Sequence, residues 1–127
     1  MKAIKKINED LAIAGQITPD QLQQMTEAGY KSVLNLRSPN EMGFASNEQQ
    51  NTKLLGLQYF HIPTQPRAIN LEIALQIIEQ INSLPKPLVL HCDNGLRSAT
   101  LAVVYVYVKQ GMAIEQAFQK AVNLDFL

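Results

Sequence analysis

The sequence predicts an α/β fold of three layers, in which a mainly parallel sheet is flanked by helices. Two observations lead to this prediction. Short apolar segments alternate along the chain with longer segments whose apolar residues recur at helical spacing. Polar helix-start signals, glycines and prolines separate the two kinds of segment. This alternation is typical of parallel sheets, because each crossover between parallel strands needs a helix-sized connection.

The predicted strands are short and apolar, and turn signals bound them. They are Ile4–Ala14 (one or two strands around Asn8-Glu9-Asp10), Ser32–Leu36, Leu57–Ile62 and Leu88–His91. The chain has 127 residues and is expected to form one domain, residues 1–127, with a substantial core.

The predicted helices open at capping signals. Thr18-Pro19-Asp20-Gln21 has the form of a capping box with proline in the first turn, so a helix should run to Ala28. Ser38-Pro39-Asn40-Glu41 and Ser46-Asn47-Glu48-Gln49 are two further start signals, of which the second should open a helix that ends at Gly56. The other predicted helices are Asn70–Leu84 (with the apolar stripe Leu71, Ala74, Ile77, Ile78 and Ile81), Ser98–Gln110 and Ile114–Val122.

The segment His91-Cys92-Asp93-Asn94-Gly95-Leu96-Arg97-Ser98 carries the clearest functional signal. It joins a predicted buried strand to a predicted helix and holds the only cysteine of the protein. A thiolate at this turn would face the free N–H groups of a helix N-terminus, which stabilise negative charge. The same N–H groups, together with the Arg97 guanidinium, would bind a phosphate or another oxyanion. The segment therefore predicts a nucleophile and an anion site in one loop.

This loop resembles the signature of the protein tyrosine phosphatase superfamily, His-Cys-x-x-Gly-x-x-Arg-Ser/Thr. It is one residue shorter between Cys92 and Arg97, a length that resembles the loop of rhodanese-type sulfurtransferases. Other segments are similar, in the same order, to a bacterial family of tyrosine-phosphatase-like proteins that includes the phosphatase-like part of the beta-lactamase hydrolase-like proteins: Ala14-Gly15-Gln16, Gly29–Arg37, Glu41 and Gly56–Pro63. The resemblance implies a fold like that of tyrosine and dual-specificity phosphatases, and a cysteine-dependent hydrolase.

Two features depart from the phosphatase pattern. Phosphatases of this superfamily usually take a general acid from an Asp on a separate loop, and the 63–70 segment expected to form that loop contains no Asp. Asp93 directly follows the cysteine, where a carboxylate should repel a dianion and disfavour the thiolate unless it points outward. Without an acid, aryl phosphates are favoured as substrates, because their leaving group needs no proton.

The residues of the loop receive individual roles from this interpretation. Cys92 is the predicted nucleophile and Arg97 the residue that binds the anion and stabilises the transition state. Ser98 should cap the helix and donate to the Cys92 sulfur. The predicted substrate-binding residues are Asp93, Asn94, Gly95 and Leu96, with Gly95 in a positive-φ conformation that turns the loop amides inward.

Four supporting residues are predicted around the loop: His91, Arg37, Glu41 and Gln65. His91 is interpreted as a structural hydrogen-bonding residue at the end of a buried strand. Arg37 and Glu41 form either a pair behind the site or a surface ion pair, and Gln65 lies on the 63–70 loop expected to cover it. A simpler interpretation stays open for the loop itself, in which Cys92 is a buried small hydrophobe and Arg97 pairs with a carboxylate such as Glu41.

Three functions are compatible with these residues. The first is phosphomonoester hydrolysis through a phosphocysteine on Cys92. The second is sulfur transfer through a Cys92 persulfide, which needs a thiolate and an anion site but no general acid. The third is a non-catalytic module that binds a phosphorylated or sulfated partner.

The amino-acid composition indicates which binding partners and which cellular location to expect. Eleven basic and eleven acidic residues give a formal net charge of zero, and no basic run suggests a nucleic-acid or membrane surface. A single cysteine suits a reducing cytosol, so a cytoplasmic location is expected. We expect an anionic substrate and no metal or cofactor, and the oligomeric state is left open.

Overall fold

The computed structural model describes residues 4–126, which form a five-stranded sheet with helices on both faces. The elements, in chain order, are β1 (Lys5–Lys6), β2 (Leu11–Ala14), α1 (Pro19–Glu27), β3 (Ser32–Asn35), α2 (Glu48–Leu54), β4 (Gln58–His61), α3 (Leu71–Ser83), β5 (Leu88–His91), α4 (Leu96–Lys109) and α5 (Ile114–Asn123). The predicted three-layer α/β fold is confirmed.

The sheet has the strand order β1-β2-β5-β3-β4, and only the edge pair β1–β2 is antiparallel. β5 is the central strand, with His91 paired to Ala14 on one side and to Asn35 on the other. Asn35 is in turn paired with His61 on β4. The four parallel strands therefore end at one level, and the loops that follow them meet at a single edge of the sheet.

Two apolar clusters hold the layers together. One face of the sheet packs on α3, α4 and α5, and its fully buried members include Ile77, Ile81, Leu90 and Leu101. The other face packs on α1 through residues such as Leu22. Both faces of the central strands are buried, which explains why β2 is apolar at every position, and β5 at every position except its last, His91, rather than at alternate ones.

The predicted caps are present at two helices. The Thr18 hydroxyl accepts from the Gln21 N–H (3.1 Å) and the Gln21 side chain accepts from the Thr18 N–H (3.0 Å), which completes a capping box at α1. The Asn70 side chain accepts from the Ile73 N–H (2.9 Å) at the start of α3. Leu71, the first residue of α3 and of its predicted apolar stripe, is 37% exposed, whereas the other four members of the stripe are buried.

No helix begins at Ser38–Glu41, so that start signal was wrong. The Glu41 carboxylate does accept from the Ser38 N–H (2.7 Å), as it would in a helical first turn. It also accepts from the side chains of Arg37 and Arg97, and these buried cations hold the segment in a turn.

Over residues 4–126, no helix has both the length and the apolar character needed to cross a bilayer.

Candidate active site

Three loops at the carboxyl edge of the sheet converge around Arg97. This side chain is 1% exposed and reaches both neighbouring loops. Its Nη1 donates to the carbonyl oxygens of Leu36 (3.3 Å) and Thr64 (3.0 Å) and to the Glu41 carboxylate (2.8 Å). Loops that follow β3, β4 and β5 are thus joined through one guanidinium.

Cys92 directly follows the last residue of β5 and is fully buried. Its sulfur accepts a hydrogen bond from the Gly95 N–H (3.1 Å). Gly95 is the N-cap of α4 and has a φ of 90°, a conformation that residues with a side chain rarely adopt. The predicted positive φ at Gly95 is therefore confirmed, and it aims a loop amide at the sulfur.

Arg97 is bound by the chain's own acids. Its Nη1 and Nη2 each lie 2.8 Å from a different oxygen of Glu41, which is a bidentate pair, and Nη2 also lies 2.9 Å from Asp93. The pairing with Glu41 agrees with the simpler interpretation of Arg97. Within the 4–126 range, however, the Arg97 Nε–H is the one buried side-chain polar atom that lacks a hydrogen-bond partner. A buried donor without an acceptor is costly, and this cost distinguishes the Arg97 Nε–H from the other buried polar groups of the site.

The charges in this group are stabilised by one another. The hydrogen bond from Arg97, with those from Ser38 and Arg37, lowers the pKa of Glu41 to about 2. Burial acts to raise the pKa of Asp93, but the bonds from Arg97 and Asn94 outweigh it and leave this pKa below its usual range. Burial likewise opposes the charge on Arg97, yet Glu41 and Asp93 raise its pKa. Both acids are ionised at neutral pH and neither can donate a proton there.

The amides of the loop are satisfied from within the loop. The Asn94 N–H donates to Asp93 Oδ1 (2.8 Å), and the Leu96 N–H donates to the Asn94 side-chain oxygen (3.0 Å). With the Gly95 bond to the Cys92 sulfur, three consecutive amides have intramolecular acceptors. The predicted substrate-binding residues therefore form one turn, in which the N–H groups of Asn94, Gly95 and Leu96 are bonded to Asp93, Cys92 and Asn94.

Ser98 does not cap α4, because the helix begins two residues earlier than predicted, with Gly95 as its N-cap. Ser98 instead lies in the first turn and is fully buried. Its hydroxyl donates to the carbonyl oxygen of Ala14 at the end of β2 (3.5 Å), not to the sulfur as predicted. The bond joins the start of α4 to the sheet.

A chain of hydrogen bonds runs behind the loop. His91 Nε2 lies 2.6 Å from the Glu48 carboxylate, which also accepts from the Gln16 amide (2.7 Å). The Gln16 oxygen accepts from Arg37 Nη1 (2.7 Å), and Arg37 Nε donates to Glu41 (3.1 Å). The predicted structural role of His91 agrees with this geometry. Arg37 is 3% exposed, so its pair with Glu41 lies behind the site and is not a surface ion pair.

The 63–70 loop contributes less than expected. The Gln65 amide donates to the Ser38 hydroxyl (3.3 Å), so it supports the neighbouring loop. Arg67 of this loop lines a separate cavity with Asp125 and Phe126. The residue of this loop that does reach the site is Thr64, whose carbonyl oxygen accepts from Arg97 (3.0 Å).

Sequence reasoning missed Glu48, Gln16 and Thr64. Glu48 lies in the first turn of α2, where acidic residues are common because they complement the helix dipole. A glutamate at this position in the sequence therefore does not by itself indicate a role in the site. Only its burial beside His91 distinguishes it from other acids in a first helical turn.

The described residues contain no group of three or more His, Cys, Asp and Glu side chains that could hold a metal ion.

Comparison with known sequences places this site in context. The family model described as "Beta-lactamase hydrolase-like protein, phosphatase-like domain" matches residues 3–108. Beta-lactamase hydrolase-like proteins of Xylella fastidiosa (strain Temecula1) and Agrobacterium fabrum are similar, at 33% identity over 103 residues and 30% over 129. These alignments include 77% and 99% of this chain but 23% and 28% of the relatives, so the chain spans about a quarter of their length.

Solved structures agree on the fold. A DUF442 protein of Shewanella putrefaciens CN-32 superposes with a TM-score of 0.80 at 19% identity, over 93% of this chain and 76% of that one. TpbA of P. aeruginosa superposes with a TM-score of 0.73 at 15% identity, over 98% of this chain and 74% of that one. TpbA has also been solved in complex with phosphotyrosine.

Proposed function

Because the chain belongs to the family of phosphatase-like domains of beta-lactamase hydrolase-like proteins, we propose that it is a cysteine-dependent phosphatase. Its proposed substrates are phosphomonoesters, with aryl esters favoured. The observation that carries this proposal is the buried, unpartnered Nε–H of Arg97 in the first turn of α4, the helix whose N-cap amide binds the Cys92 sulfur. A thiol and an unsatisfied anion donor at one helix start are what phosphoryl transfer to sulfur requires.

In the proposed reaction, the Cys92 thiolate attacks phosphorus and the bond to the leaving phenolate oxygen breaks. A phosphocysteine forms, and attack by water then releases inorganic phosphate and regenerates the thiolate. Arg97 and the amides of the loop would bind the non-bridging oxygens as charge develops on them. Since Cys92 is fully buried, the side chains over the loop must move before a substrate reaches the sulfur.

The preference for aryl esters follows from the acids of the site. The pKa of Glu41 is about 2, and that of Asp93 is lowered as well, so both are deprotonated at neutral pH. A leaving alkoxide would need a proton that neither can supply, whereas a phenolate with an electron-withdrawing substituent leaves without one.

Sulfur transfer is the second candidate, and the short spacing between Cys92 and Arg97 favours it. In that reaction the thiolate attacks the outer sulfur of thiosulfate, sulfite leaves, and a Cys92 persulfide remains. A nucleophilic acceptor then takes the terminal sulfur and restores the thiolate. No general acid is involved, so the charges of Glu41 and Asp93 are less of an obstacle than in ester hydrolysis.

The test is hydrolysis of para-nitrophenyl phosphate between pH 5 and 8 by the wild type, Cys92→Ser and Arg97→Lys. We expect turnover in the wild type, no turnover in Cys92→Ser, and a decrease of about 100-fold in Arg97→Lys, because lysine cannot form the bidentate contact. Absence of turnover in the folded wild type would refute the phosphatase proposal. Cyanide-dependent thiocyanate formation from thiosulfate, lost in Cys92→Ser, would then establish sulfur transfer.

A further inference from the structure

We propose that Asp93 is an internal occupant of the anion site and determines which anions the site accepts. This inference rests on the proposed function, because it assumes that Arg97 binds an oxyanion. It goes beyond that function in assigning the residue after the cysteine as a specificity determinant that must be displaced by the ligand.

The contacts of Asp93 duplicate those that an oxyanion would make. One carboxylate oxygen, Oδ1, accepts from Arg97 Nη2 (2.9 Å) and from the Asn94 N–H of the loop (2.8 Å). A guanidinium donor and a loop amide are the two kinds of donor that bind phosphate or sulfate in such loops. Asp93 therefore stands where one oxygen of the ligand is expected.

The fit of Asp93 to Arg97 is incomplete. A guanidinium presents two bidentate edges, one between Nη1 and Nη2 and one between Nη2 and Nε. Glu41 binds the first edge with both of its oxygens, at 2.8 Å each. Asp93 reaches only Nη2 of the second edge and leaves the buried Nε–H unpartnered. A tetrahedral oxyanion has two oxygens at the spacing of that edge and would satisfy both donors.

Asp93 is also the acid that can be displaced. Its side chain is 42% exposed, so it can turn into solvent and be hydrated. The Glu41 side chain is 15% exposed and is held in addition by the Ser38 N–H (2.7 Å) and Arg37 Nε (3.1 Å). A ligand that enters the second edge of Arg97 therefore exchanges with Asp93 while Glu41 stays in place.

This exchange should select among anions by charge. After Asp93 turns outward, its carboxylate remains beside the site and repels the bound anion in proportion to the anion's charge. Tetrahedral dianions are consequently penalised more than monoanions of the same shape. Loss of the charge at position 93 should strengthen binding of both kinds, and binding of dianions most.

The experiment is calorimetric titration of the whole chain with sulfate, a dianion, and methanesulfonate, a monoanion. The variants are Asp93→Asn and Asp93→Ala, with Glu79→Gln on the exposed face of α3 as a control for net charge and Arg97→Lys as a control for the site. We expect sulfate to bind Asp93→Asn and Asp93→Ala about tenfold more tightly than the wild type, and methanesulfonate about threefold more tightly. Glu79→Gln should match the wild type.

The outcomes separate this inference from the function on which it rests. Sulfate binding that is lost in Arg97→Lys but equal in the wild type and both Asp93 variants would overturn the role of Asp93 and leave the anion site intact. Equal gains for sulfate and methanesulfonate would refute selection by charge. No sulfate binding in the wild type or in either Asp93 variant would overturn the inference together with the anion site of the proposed function.

Discussion

Among single residues, Glu41 is the one that binds both buried arginines of the site. Its two oxygens bind Arg97 at 2.8 Å each, Arg37 at 3.1 Å and the Ser38 N–H at 2.7 Å. Both arginines are almost completely buried, so their charges depend on nearby acceptors. Glu41 therefore stabilises the closed arrangement of three loops as well as the orientation of Arg97.

The depressed pKa of Glu41 predicts how stability depends on pH. Because this pKa is about 2 in the folded protein and ordinarily 4.5, ionised Glu41 stabilises the fold fully above about pH 4.5, and this contribution disappears as the pH falls towards 2. The full loss is about 3 kcal/mol in the free energy of unfolding, of which about 2 kcal/mol is expected between pH 7 and pH 3. Urea unfolding at pH 7, 4.5 and 3 measures it.

Glu41→Gln is the matching variant for that measurement. It should be less stable than the wild type at pH 7, because two buried cations lose a charged partner. It should also lose less stability between pH 4.5 and 3, since only the contribution of Asp93, whose pKa is lowered too, remains from the site. Parallel pH profiles for the two proteins would contradict this account of Glu41.

Among the described helices, α2 is the one whose buried residues are all polar. It has seven residues, and its buried members are Glu48 and Thr52. Glu48 links it to β5 through His91 (2.6 Å) and to the loop after β2 through Gln16 (2.7 Å). So short a helix has little stability of its own, and its position depends on these bonds.

We expect Glu48→Ala to release α2 from the sheet. The variant leaves the buried His91 ring without its carboxylate partner and removes one of the two acceptors of the half-buried Gln16 amide, which should cost about 3 kcal/mol in the free energy of unfolding. Amide hydrogen exchange should accelerate across residues 48–54. The exposed neighbour Gln49→Ala is the control and should leave exchange unchanged. Exchange that is equally slow in both variants would show that other contacts hold α2.

The two ends of α4 allow a matched test of backbone strain. Gly95 at its start has a φ of 90° and Gly111, just beyond its end, has a φ of 99°. Alanine at either position should cost about 1 to 2 kcal/mol, because a Cβ is strained in this conformation. Only Gly95→Ala should accelerate alkylation of Cys92 by iodoacetamide, since only Gly95 donates to the sulfur and shapes the loop over it. Equal alkylation rates in the two variants would contradict this role.

At the scale of the whole molecule, the core on the α3, α4 and α5 side provides the rigid base of the site. Ile77 on α3 is fully buried in it, whereas Leu75 on the same helix is 43% exposed. We expect Ile77→Ala to lower the free energy of unfolding by about 2 to 5 kcal/mol, through lost burial and the cavity that remains. Leu75→Ala should change it by about 0.5 kcal/mol or less. Urea midpoints that shift equally would refute this assignment of the core.

The number of elements and their order could be predicted because local signals specify them. Thr18 and Asn70 cap the helices predicted from their side chains. The apolar strand before Cys92 is central in the sheet, as expected of a segment with no polar face. Errors occurred where a local signal competed with a distant partner: Ser38–Glu41 forms no helix, and Ser98 lies inside α4.

The sequence by itself determined the α/β fold and the segment that carries Cys92 and Arg97. These follow from periodicity, caps and spacing within about twenty residues. Only the tertiary structure decided how the site is completed: Arg97 is bound by Glu41 across 56 residues of chain, and His91 meets Glu48 across 43. The sequence alone does not distinguish an acidic residue that binds Arg97 or His91 from one that faces solvent. Their roles depend on burial and on which charge lies within 3 Å, and those are set by packing of the whole chain.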